Sequence, residues 1–186
     1  MFQRSVSPDG SEQKQFHGGV AMSASFASRL RDFVSVVCLT LLGSAVYAQS
    51  KAVDEMVTQA QAALSKGKPE EAVSILRKAI DQAPERADLY LLRSRARDSS
   101  GKFDAALDDA SKYIELKPND AYGYINRSRI YQSLDKKDLA LADANKAVEM
   151  SPKDPDAYYR RADVYTEMGK DAEAKADETK AEQLDK

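Results

Sequence analysis

Three prolines, Pro84, Pro118 and Pro152, stand 34 residues apart, and each closes a similar phrase: AIDQAP, YIELKP and AVEMSP. The same step relates Ala72, Ala106, Ala140 and Ala174, and also Met56, Tyr90, Tyr124 and Tyr158. Several independent positions sharing one interval mean a chain built from copies of a single unit. A unit this short cannot enclose a core of its own, so each copy must bury its apolar face against the next, and the chain is constrained to a stacked array. Counted from Val53, four units would need 136 residues and the chain supplies 134. The units are predicted at 53–86, 87–120, 121–154 and 155–186.

Within a unit the apolar spacing is helical. In the third, Tyr124, Ile125, Ser128 and Tyr131 fall at i, i+1, i+4 and i+7. Asp135-Lys136-Lys137 interrupts that pattern, and Leu139, Ala140, Ala144, Ala147 and Met150 resume it before Pro152 ends it. Each unit therefore reads as two antiparallel helices. Gly67, Gly101 and Gly169 mark the turn inside a unit, where a left-handed residue ends the first helix at no steric cost. Pro69 and Pro155 suit the first position of a helix, where the missing N–H is no loss. Ala60, Ser94, Ser128 and Ala162, together with the Ala72 series, let backbones approach, which predicts an all-α solenoid. Glu178 replaces an apolar residue on the last helix and is expected to let the fourth unit cap itself.

The segment before the array is different in kind. Residues 33–46 form an apolar run preceded by Arg29 and Arg31 and followed by Val46-Tyr47-Ala48, with small residues at the −3 and −1 positions of a cleavage site. That order predicts a signal peptide over 22–48, with residues 49–52 as a short linker. Uncharged sequence continues to Ser50, so a membrane anchor over residues 33–50 is the alternative, with the array outside the cytoplasm in either case. Residues 1–21 are polar and aperiodic, and are expected to be disordered or an extension ahead of a start at Met22. The chain is accordingly expected to be exported, to the periplasm or beyond.

Scarce residues now acquire a meaning. The chain holds one His and one Cys, and both, His17 and Cys38, precede residue 49. Beyond that point there is no thiol and no imidazole, so Ser-His-Asp and Cys-His catalysis, His/Cys zinc sites and disulfide staples are all excluded there. No glycine-rich phosphate loop appears. Adjacent carboxylates such as Asp108-Asp109 or Glu70-Glu71 read as helix-start and surface charges. Four of the 28 basic and three of the 30 acidic residues lie before residue 49, which leaves the remainder at −3 and gives no basic footprint for nucleic acid. Neither an enzyme nor a cofactor is expected.

A 34-residue helix-turn-helix with an aromatic opener, a small-residue slot, a later alanine and a closing proline resembles the tetratricopeptide repeat. The resemblance runs over residues 53–186. It departs from the pattern in the leucine slot, which holds Gln59, Arg93, Arg127 and Arg161, and where Phe is usual, which holds Leu76, Ala110, Ala144 and Glu178. The resemblance implies a right-handed superhelix whose first helices line a concave groove for a peptide or helix of a protein partner. Carried onto this chain, the groove positions include Leu91, Arg95, Tyr122, Ile125, Asn126, Arg129, Tyr159 and Arg160. Arg95, Arg129 and Arg160 suit bidentate capture of carboxylates, or pair with Asp88, Asp98 and Asp163. A scaffold in the cell envelope follows as the expected function, with self-association of the array as the alternative.

Overall fold

The computed structural model describes residues 47–185. The 1–21 extension and the apolar run of the leader lie outside the described residues. The chain from there is helical throughout: α1 covers residues 47–65, followed by α2 (Pro69–Gln82), α3 (Ala87–Ser99), α4 (Phe103–Leu116), α5 (Ala121–Ser133), α6 (Lys137–Met150), α7 (Pro155–Glu167) and α8 (Asp171–Leu184). Residues 49–52, expected as a linker, are part of α1. Among the described residues no helix is long and apolar enough to cross a membrane.

The turn inside each unit is built four times from one set of hydrogen bonds. Lys68, Lys102, Lys136 and Lys170 each donate their amide N–H five residues back, to the carbonyls of Ala63, Arg97, Tyr131 and Tyr165, at 2.8–2.9 Å. That bond requires a left-handed residue just before it. Gly67, Gly101 and Gly169 supply it with φ of 70°, 74° and 70°, and the third unit supplies it with Asp135 at 55°. Aspartate tolerates that region better than most side chains, though less well than glycine. Between units, Asp120 and Asp154 cap α5 and α7 by accepting the amides of Tyr122 and Asp156 at 3.0 Å.

Consecutive helices pack on one another from α2 to α8, and in addition α5 touches both α3 and α7. Among the described residues no such contact joins α4 to α6 or α6 to α8. First helices of neighbouring units therefore stand closer than second helices, so the stack curves with its first helices on the inner side. This arrangement is a helical-hairpin solenoid.

The core is a string of clusters along the array. The first gathers α1, α2 and α3 around Val53, Leu76, Ile80 and Leu89, while the later ones are mostly alanine: Ala106 and Ala110 with Ile130, Ala121 with Ala147 and Ala157, and Ala140 and Ala144 with Val164. Bulk is exchanged across the stack from unit to unit. Leu76 shares its cluster with Ala96, whereas one period on Ala110 meets Ile130 and then Ala144 meets Val164. Between α4 and α5 the large partner is Tyr113 and the small one is Gly123, whose added Cβ would fall 2.7 Å from Tyr113 Cδ1. The Tyr113 hydroxyl donates to Asp120 at 2.5 Å, and burial together with that carboxylate holds its pKa well above the ordinary phenol value.

Candidate functional site

Charged residues fall into two sets, one inside the stack and one on its inner face. The buried set is periodic. Arg93 donates to both carboxylate oxygens of Asp109 at 2.9 and 2.7 Å, Arg127 to those of Asp143 at 2.7 and 2.9 Å, and Arg161 to those of Asp177 at 2.7 and 2.8 Å. The partners always lie sixteen residues apart, on the two helices of one unit. Arg127 and Arg161 also donate back to Ser111 and Asn145, sixteen residues earlier on the preceding unit. Each guanidinium stacks on an opener tyrosine, with Arg93 5.6 Å from the Tyr90 ring centre, Arg127 5.8 Å from Tyr124 and Arg161 5.7 Å from Tyr158. Hydrogen bonds donated to Asp143 and Asp177 hold Arg127 and Arg161 above the ordinary guanidinium pKa. The three aspartates are buried, and a forked, two-bond pair of this kind fixes position as well as charge.

These pairs are what the departures in the leucine slot accomplish. Asp109, read in the sequence as half of a carboxylate pair, is 3% exposed and also accepts from Arg97 at 2.8 Å, while Asp108 faces solvent. The signal was present in the sequence, since three arginines and three aspartates share the 34-residue step at a constant offset. In the first unit those two slots hold Gln59 and Ile75, and no pair forms.

The inner face collects the residues expected to bind a partner, though not all in the expected state. Tyr122 and Tyr159 are exposed, and Leu91 and Ile125 are half-buried, with Ile125 packed on the Ala121 cluster. Asn126 requires a correction: it is 4% exposed, its amide donates to Ser94 Oγ at 2.9 Å, and its carbonyl accepts from Arg129. It ties α5 to α3, and both its amide and its carbonyl are engaged within the stack. Ser94 in turn donates to the Ala106 carbonyl, so the small-residue slot serves as a polar tie as well as a spacer.

Arg129 and Arg160 meet in one cleft of about 640 Å³ between α5 and α7, with Gln132, Asp163, Glu167 and Glu178 among its walls. Both are engaged by the protein. Arg129 lies 3.2 Å from Asp98, and Arg160 donates to Gln132 and lies 3.2 Å from Asp163. The Nε atoms of both are buried without a hydrogen-bond acceptor; at Arg129 the Asp98 contact has the distance but not the direction of a bond. Burial first, and then the neighbouring Arg129, pushes Arg160 below the ordinary guanidinium value. Arg95 stands apart, exposed in a smaller cleft with Leu64, Gly67, Pro69 and Ser99, and it makes no ion pair among the described residues. Of the two readings of the groove arginines, pairing holds for Arg129 and Arg160, with Asp98 and Asp163. Asp88 is held by Arg86, which also binds Asp54.

No group of three or more metal-binding side chains occurs among the described residues. What the fold and this face define together is an array of stacked helical hairpins with a polar, aromatic inner surface. The chain belongs to the tetratricopeptide repeat family: models described as tetratricopeptide repeat match residues 57–121, 121–154 and 144–176. Solved structures of similar fold include MamA (21% identity, TM-score 0.63, covering 89% of this chain and 96% of that one). TTC0263, a thermophilic protein of the same repeat class from Thermus thermophilus, gives 19% identity and a TM-score of 0.67, over 72% of this chain and 74% of that one. The first repeat domain of Spaghetti (RPAP3), solved with the HSP90 peptide SRMEEVD, gives 21% and 0.59, over 64% and 95%. A search of curated protein sequences found no match.

Proposed function

We propose that this chain is a non-catalytic scaffold of the cell envelope that seats a peptide or helix of a protein partner along its inner face. The observation that carries this reading is the exposure of Tyr122 and Tyr159 on the inner helices, beside half-buried Leu91 and Ile125. Tyrosine presents a large, stiff, amphipathic surface at small entropic cost, and it is enriched where proteins bind one another. The bound peptide of the RPAP3 structure supports the same use of the fold. The envelope location rests on the order of charge, apolar run and small residues over 22–48.

A photo-crosslinking side chain placed at Tyr122 or Tyr159 is expected to trap a discrete partner in intact cells, and one placed at half-exposed Lys112 on the second helix α4 is not. Equal trapping from Lys112 would refute use of the inner face. The intact mass of the protein recovered from cells tests the leader: a chain beginning at Gln49 means cleavage, and a chain retaining residues 33–48 means an anchor.

A further inference from the structure

Two slots of the inner face change sign along the array. They run along the first helices at the 34-residue step: Gln61, Arg95, Arg129 and Asp163, and four residues further on Ser65, Ser99, Ser133 and Glu167. The earlier units hold neutral or basic groups there, and the last holds two carboxylates. The structure leaves this difference to Glu167, because Asp163 is paired with Arg160. Arg129 is spent on Asp98 and Asn126, and Arg160 on Gln132 and Asp163, so the two cations of the larger cleft are neutralised from within. Glu167 and Glu178, on the walls of the same cleft, are exposed and form no ion pair among the described residues. Next to them, burial and the carboxylates of Asp185, Glu182 and Glu178 raise the hydroxyl pKa of exposed Tyr159. At the other end Arg95 is exposed and makes no such pair.

We infer that the groove is electrically polarised and sets the direction of the segment it binds, with an acidic side chain of the partner at Arg95 and a Lys or Arg at Glu167 and Glu178. This rests on the inner-face reading and adds the chemistry and orientation of the occupant. The exposed ring of Tyr159 supplies a face on which a cation can stack, as the arginines of this chain stack on its other tyrosines. Helix axes packed about 10 Å apart place α3 and α7 about 20 Å from each other. An extended segment covers that in about six residues. The partner's acidic and basic residues are therefore separated by about six positions.

Short random peptides displayed on phage, selected against the full chain, test this directly. Enrichment of peptides carrying an acidic and a basic residue about six apart, in one order, is the expected result. The double substitution Glu167→Lys/Glu178→Lys should weaken binding of a selected peptide about tenfold, and Arg95→Glu should act on the acidic end alone. All three residues are exposed, and circular dichroism checks that the helices persist. Selected peptides rich in acid without a basic residue, or affinity unchanged by the double substitution, would overturn the polarity while leaving the groove. Failure to select any peptide would overturn the groove reading, and the polarity with it.

Discussion

The first unit and the three that follow share a backbone and are held together by different forces. In the first, Val53, Leu76 and Ile80 close over α3, and the slots that elsewhere carry arginine and aspartate hold Gln59 and Ile75. In the later units alanines replace the large aliphatic residues, and a forked ion pair under a tyrosine ring occupies the inside of each. Alanine buries little apolar area, so cohesion that the first unit takes from hydrophobic burial comes in the others from close backbone approach and directed charge. One fold thus tolerates two interior chemistries, provided each hairpin keeps its own turn and its own volume.

The largest test breaks the aliphatic side. Leu76→Ala should cost about 3 to 4 kcal/mol, because Leu76 is fully buried and its small neighbour Ala96 cannot fill the void. Adding Ala96→Ile reproduces the arrangement of the next unit and should recover part of the loss in denaturant titration. Asp143→Ala attacks the other side. It leaves Arg127 without its carboxylate and should cost about 2 to 3 kcal/mol, read as faster amide exchange in units three and four with the first unit little changed. Gly123→Ala forces a Cβ onto the Tyr113 ring and onto Ile114 and should cost about 2 kcal/mol, with Tyr113→Leu beside it relieving only the part that comes from the ring.

Smaller effects sharpen the comparison at its edges. Asp135→Gly should raise stability by about 0.5 to 1 kcal/mol, and Gly101→Ala should lower it by about 1, since both positions are left-handed. The smallest expected effect is electrostatic. The Arg86 hydrogen bond holds the Asp88 carboxyl below its ordinary value. A depressed folded-state value stabilises above the unfolded one, near about pH 4, and that contribution is lost as pH falls through the folded value. Thermal melts of the wild type and Arg86→Gln should differ by under about 1 kcal/mol at about pH 6, because Asp88 is half-exposed, and should converge in acid once Asp88 is protonated in both the folded and the unfolded chain.

The period, the two helices in each unit and the glycine turns were legible in the sequence, because spacing and punctuation are local properties. Asp135 standing in for glycine was also readable, being one period from Gly101 and Gly169. Asn126 was not. Its position places it on a first helix, but whether an amide faces a ligand or a neighbour depends on Ser94, 32 residues away, and on how closely α3 and α5 approach. The pairing of Arg129 with Asp98 depends on the approach of α3 and α5 in the same way, whereas that of Arg160 with Asp163 is a contact three residues along one helix and was readable as a candidate. The buried pairs could have been found, since both members recur at the period, but an arginine in an apolar slot reads as a departure until its aspartate is seen.

One consequence concerns how such a chain can grow. Each arginine finds its aspartate sixteen residues ahead within the same unit, and Arg127 and Arg161 find a second acceptor sixteen behind, so a duplicated unit would arrive carrying its own ionic partners. The Tyr113 and Gly123 fit lies across a boundary, and neither residue has a counterpart of the same size one period away. A gene duplication that copied unit three alone would set its glycine against Ala147 instead of a tyrosine and leave a hole, whereas copying units two and three together would preserve the match. The boundary between those two units is therefore the one along which this array is least free to be cut and rejoined.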